Sequence, residues 1–141
     1  IGLNYYLGKY FAINGNYSWN KLNKNVDDPI IPAYNTPEHK YNIGFSGSDI
    51  LIEGTAIRNL GFNINYKWIQ GFVYEGSPQF TGSVPTYSLL DVQVNQKITK
   101  LNLTVKIGAS NVLNNKVLQV YGGPFVGRMI YGSITFDWEN K

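Results

Sequence analysis

His39 is the single histidine of the chain, and cysteine is absent. Those two facts close most of the catalytic repertoire. A thiolate nucleophile or thiolate metal site needs Cys, and imidazole acid–base chemistry has one candidate, placed beside Lys40 at the start of a strand-like stretch. His39 therefore reads as a rim residue, not as a metal ligand or proton shuttle. Carboxylates are few. Asp27 and Asp28 stand among Pro29, Pro32 and Pro37, where turn formation and hydration account for them. A calcium site would need more oxygen ligands than this spacing offers. Asp91, Lys97, Lys106 and Asp137 are expected to form a charged ladder that hydrates one face of a sheet and does not react. The glycines match no phosphate-binding pattern and serve turns and close packing. No nucleophile–base pair is present, so the chain does not read as an enzyme and implies no cofactor.

The elements that carry these residues are more informative. Seven stretches alternate apolar and polar residues with a period of two, which puts apolar groups on one strand face and polar groups on the other. The clearest runs from Phe11 to Trp19, with Phe11, Ile13, Gly15, Tyr17 and Trp19 against Ala12, Asn14, Asn16 and Ser18. The others are Ile1 to Leu7, about His39 to Phe45, Leu60 to Trp68, Leu90 to Lys97, Leu101 to Ser110, and Ile130 to Trp138. After the third stretch comes a less regular link containing Ile50, Leu51 and Ile52, which reads equally as a turn or as an extension of the strand.

Connection lengths also follow a rhythm. Short turns follow the first and fifth stretches, around Gly8–Lys9 and Thr99–Lys100. Long loops follow the second, fourth and sixth: Asn23–Pro37, Glu75–Thr86 and Asn114–Gly127. In an antiparallel meander every long loop then lies at one end, which is how outer-membrane barrels sort periplasmic turns from extracellular loops. Phe11 to Trp19 is roughly 26 Å at about 3.3 Å per residue, and a tilt of about 40° brings it to roughly 20 Å of height, near an apolar band of about 25 Å. Tyr17, Trp19, Tyr66 and Trp68 fall at the long-loop end, as a lipid-facing aromatic girdle would, with Tyr10 and Phe11 at the other. Charged residues make up 15% of the chain, below the usual quarter, with Asn and Gly taking polar positions. The net charge of +3 is scattered, so no nucleic-acid surface is read. No apolar run is long enough for a transmembrane helix. The alternative is a soluble β-sandwich whose core the aromatics fill, a binding module that takes carbohydrate through Trp19, Trp68 or Trp138.

Single-chain bacterial barrels have an even number of strands, and an unpaired edge in hydrocarbon costs several kcal/mol per orphaned group. Seven strands therefore read as part of a larger wall with further strands upstream, and the opening of the chain inside a strand pattern agrees. From Val84 onward the sequence resembles the C-terminal barrel strands of TonB-dependent outer-membrane receptors. The matching pieces are VPTYSLLDVQV (Val84–Val94), KIGASNVLNNK (Lys106–Lys116), the Tyr121–Pro124 loop and GRMIYGSITF (Gly127–Phe136), with TPEHKYNIGFS (Thr36–Ser46) upstream. Asn111–Asn115 at a strand end is the most specific patch.

This resemblance implies that residues 1–141 are the C-terminal part of a barrel of about 22 strands, an integral protein of the Gram-negative outer membrane. In that family a plug fills the barrel, and the TonB complex supplies energy for importing chelated iron, vitamins, glycans or peptides. The partners implied are the remaining strands and plug, the TonB complex through regions outside this chain, outer-membrane lipid and the barrel-assembly machinery. Glycan-import relatives add a surface lipoprotein. The assembly machinery reads a terminal aromatic; Phe136 fits, although Asp137 to Lys141 follow it, and Trp138 shares the candidacy.

Overall fold

The computed structural model describes residues 1–21, 35–52, 58–76 and 78–138. Asp27, Asp28, Pro29 and Pro32 lie outside the described residues. In chain order the strands are β1 (Gly2–Leu7), β2 (Phe11–Trp19), β3 (His39–Ile50), β4 (Leu60–Ile69), β5 (Phe72–Tyr74), β6 (Gly82–Val84), β7 (Tyr87–Ile98), β8 (Leu103–Ser110), β9 (Val117–Leu118), β10 (Phe125–Val126) and β11 (Met129–Phe136). Helical structure among the described residues is limited to two 3₁₀ turns, Pro78–Phe80 and Thr99–Leu101.

The seven longer strands form one antiparallel sheet in chain order, β1-β2-β3-β4-β7-β8-β11. The all-β, up-and-down antiparallel arrangement read from the alternation is therefore present, with β1 and β11 as its outer strands. Register keeps the two faces separate across the sheet. Tyr5, Ile13, Phe45, Ile64, Val92, Ala109 and Ile130 stand in one cross-strand row. The next row holds Leu7, Phe11, Gly47, Phe62, Val94, Ile107 and Gly132. On the other face the corresponding row reads Tyr6, Ala12, Ser46, Asn63, Gln93, Gly108 and Tyr131. A slip of one residue on any strand would exchange its faces; the match of alternation across all seven strands is what holds the register.

The structure decides the open link after the third stretch and shifts several strand ends from the sequence reading. The link after the third stretch is a strand extension: β3 continues to Ile50 through an irregularity between Gly47 and Ile50, where Asp49 takes a φ of 53°. The amide of Ser48 also donates to the Tyr10 carbonyl, so the extension grips the β1–β2 turn. β7 begins at Tyr87, ahead of the clean alternation, because β4 is long enough to pair with it there. β8 begins at Leu103, since Leu101 belongs to a turn that Asn102 closes in the left-handed region at φ 49°. β11 runs from Met129 to Phe136, and Asp137 lies beyond it.

Long loops gather at one end of the sheet, the end where β2, β4 and β8 finish. Two of them contain small hairpins, β5–β6 and β9–β10, that the sequence reading had placed as loop. Among the described residues Val84 and Val117, each 1% exposed, are the only buried apolar side chains, and both belong to these hairpins. The sheet itself has no such core. Ile130 is 74% exposed, Ile134 72% and Ile107 65%, and no second sheet among the described residues lies across the apolar face. A sandwich needs that second layer.

Candidate functional site

The apolar face ends in aromatic bands. At the long-loop end Tyr17 pairs with Tyr41, and Tyr41 with Trp68. The Tyr41 and Trp68 rings stack with centroids 5.3 Å apart, and Tyr66 lies 6.3 Å from Tyr41. Trp19 pairs with His39 at the rim. Polar tips find partners there: the Tyr17 hydroxyl lies 2.6 Å from His39 Nδ1, and Trp19 Nε1 donates to Glu38 Oε1 at 3.3 Å. Tyr17, Trp19, Tyr66 and Trp68 thus share one face and one end with Tyr41, which the sequence reading had not singled out. At the opposite end Phe45 meets Phe11 at 5.8 Å and Phe62 at 5.3 Å. Gly47 makes room for this cluster, because a side chain there would begin 2.5 Å from the Phe62 ring. Phe136 and Trp138 touch edge to face at 6.1 Å, also at the short-turn end. Between the bands lie Ile13, Ile64, Val92, Val105 and Ile134.

The polar face is built largely from amides laid over glycines. The Asn14 side chain occupies the place where a Gly44 side chain would begin. A side chain at Gly61 would begin 2.7 Å from the Asn95 amide, and one at Gly108 2.5 Å from the Tyr131 ring. A larger residue at these glycines would force the covering group away from the wall. Next to Tyr131 these flat groups leave a shallow cleft of about 190 Å³ lined by Asn63, Asn65, Asp91, Gln93 and Tyr131, with Val92 in its floor. Tyr131 donates to Gln93 Oε1 at 3.2 Å. Asp91 is held from two sides: Lys67 Nζ lies 2.7 Å from Oδ2, and the Asn111 amide donates to Oδ1 at 3.0 Å.

The charged ladder expected from Asp91, Lys97, Lys106 and Asp137 does not form. Asp91 takes Lys67 instead, because Asn65 pairs with Asp91 and leaves Lys67 one polar-face row away. Asp137 follows β11, and its amide donates to the Asn102 carbonyl. Lys97 and Lys106 stay on the polar face near Thr104 and Ser133. His39 stands on the apolar face at the rim, on the opposite side of the sheet from Asp91. Among the described residues no group of three or more His, Cys, Asp and Glu converges on one point.

Asn111 turns the end of β8 into an anchor for the loop above it. It is 3% exposed and sits at φ 50°, a region Asn tolerates better than most residues. Its Nδ2 donates to the Asn115 carbonyl at 2.7 Å and to the Val126 carbonyl at 3.4 Å, while Oδ1 accepts from the Asn115 amide at 3.0 Å. Asn115 Nδ2 reaches the Ser88 carbonyl, and the Val112 amide the Leu90 carbonyl. Asn114 Oδ1 accepts from the Arg128 amide. These bonds tie the start of the 111–128 segment to β7 and its two ends to each other. The hairpins meet above: the Tyr121 ring covers Gly82, and Phe80 lies against Gly122. Asn35 exchanges two hydrogen bonds with the backbone of Glu75, fastening a third segment to the same platform.

Asn63, Asn65 and Gln93 look like ordinary polar-face fillers in sequence, and only cross-strand register brings them to one cleft with Asp91 and Tyr131. The signal available beforehand was the pairing of Asn-rich and Gly-containing polar faces. Compared with protein-family models, with curated proteins and with solved structures, the chain matches none.

Proposed function

We propose that this chain forms part of the wall of an outer-membrane β-barrel, in a receptor of the TonB-dependent kind that captures and imports a scarce nutrient. One observation carries the reading. The paired residues of the apolar face, from Leu3 and Tyr5 on β1 to Ile134 and Phe136 on β11, include no Asp, Glu, Lys or Arg. A face of this breadth left uncovered is far larger than the apolar patches of soluble monomers, whereas hydrocarbon demands it. Tyr and Trp with partnered polar tips at the rim suit the headgroup level. The sorted connections support an outer end with loops and an inner end with turns. Under this reading the polar wall with Asn65, Asp91 and Gln93 faces the lumen. The outer strands β1 and β11 pair with strands of the remaining wall, which together surround a plug, and TonB supplies the energy. Phe136 and Trp138 then sit at the periplasmic end, where the assembly machinery reads them.

Residues 1–141 contain no cysteine, so labels here are unambiguous once any cysteine elsewhere in the protein is replaced. Single cysteines at Ile13, Ile64 and Val105, spin-labelled in the protein reconstituted in bilayers, should be accessible to oxygen and shielded from a water-soluble nickel chelate. Labels at Asn14, Asn16 and Thr104, on the other face, should show the reverse. Tight, solvent-shielded packing at all three apolar sites without oxygen access would end the wall reading. For the transport half, uptake by cells carrying the full-length protein should stop when TonB is removed.

A further inference from the structure

We propose that the cleft beside Tyr131 is a subsite for a neutral, hydroxyl-rich ligand, a saccharide unit, on the polar wall. The inference rests on the wall reading, which makes this face the lumen. Its argument is the balance of donors and acceptors. Asn65 lines the cleft, and its Oδ1 is buried without a hydrogen-bond partner; a turn of the amide toward the cleft would give that desolvated acceptor the donor it lacks. Asp91 presents a second acceptor whose charge Lys67 already offsets. The Gln93 carbonyl is committed to Tyr131, which turns its amide nitrogen into the open donor. Asn63 adds a further amide with both capacities.

A ligand for this set must donate and accept from closely spaced groups, as vicinal hydroxyls do. An anion would meet the Asp91 carboxylate and find no cation among the residues that line the cleft, and Lys67 beside them is engaged; Lys106, one polar-face row from Tyr131, is why citrate is the comparator. An organic cation would find its carboxylate partner already neutralised. A purely apolar ligand would leave the amides unpaired, at a cost for each. The exposed Tyr131 ring, laid flat over Gly108, gives the C–H face of a sugar something to rest on. The cleft's volume, about 190 Å³, suits one ring and not a chain.

Isothermal titration calorimetry on the full-length protein in detergent micelles tests this, with maltotriose, cellotriose and xylotriose as probes and citrate as the anionic comparator. At least one trisaccharide should bind, and citrate should not. Asn65→Leu and Gln93→Leu should each weaken the binding about tenfold or more, and Tyr131→Phe severalfold, since it frees the Gln93 carbonyl from its partner. If Asn65→Leu fails to fold, Gln93→Leu and Tyr131→Phe still decide. No binding by any of the three sugars, preference for citrate, or sugar binding untouched by these variants overturns the proposal. The lipid-contact labels at Ile13, Ile64 and Val105 do not depend on sugar, so loss of the subsite and loss of the wall reading remain separable.

Discussion

At the scale of single residues, the observation behind the wall reading is where charge is allowed. Lys40, Lys67, Asp91, Lys97 and Lys106 all stand on the polar face, while the paired positions opposite carry none. Ile64 is the sharpest place to challenge that. It lies between Phe45 and Val92, midway between the aromatic bands. In water an Arg at an exposed strand position costs little, whereas at the middle of a bilayer it costs about 2–4 kcal/mol. Ile64→Arg should therefore lower the stability of the micelle- or bilayer-folded protein by about that much, read from its urea midpoint. Asn16→Arg, on the polar face beside Asn42, should leave the midpoint nearly unchanged. Equal, small effects at both positions would mean that the two faces see the same solvent.

At the scale of elements, Asn111 shows how one amide sets a loop. Its side chain makes three hydrogen bonds and its backbone two more: its amide donates to Asp91 and its carbonyl accepts from the Asn114 amide. Removing the side chain leaves the Asn115 amide and carbonyl without their partner, a loss on the order of 3 kcal/mol. Asn111→Gly keeps the left-handed backbone and loses only the bonds; Asn111→Ala adds strain of about 1 kcal/mol. Both variants should loosen the 111–128 segment, seen as faster amide exchange at Val117 and Val126 with β2 and β3 unchanged, and Ala should be the worse. The sequence made Asn111 visible as part of a motif, and its alternation made the seven long strands visible, because each strand carries its own period-two record. What a single strand cannot record is its neighbour. The reach of β3 to Ile50 and of β7 back to Tyr87 depends on the lengths of β2 and β4. The hairpins β5–β6 and β9–β10 use strands too short to show any period. The cleft at Asn65 and Gln93 draws on three strands, and its members become a group only when register is known.

At the scale of the molecule, one layer of sheet has two needs that the described residues do not meet: a cover for the apolar face, and partners for the outward backbone groups of β1 and β11. Every residue of both outer strands is exposed. Edges in water invite pairing with another chain, and edges in hydrocarbon are costlier still. Both needs are met at once when neighbouring strands continue the wall and lipid covers its outside. That makes the behaviour of residues 1–141 alone a test of the architecture. Under the wall reading, the chain kept in detergent should hold β structure with fast amide exchange at β1 and β11, and those same amides should become slow once neighbouring strands are present. Diluted out of detergent, it should associate through its edges and apolar face and sediment as large particles. A chain that stays monomeric in plain buffer, unfolds cooperatively and protects its outer strands without help would have found its cover within itself, and neither lipid nor further strands would be needed to explain the fold.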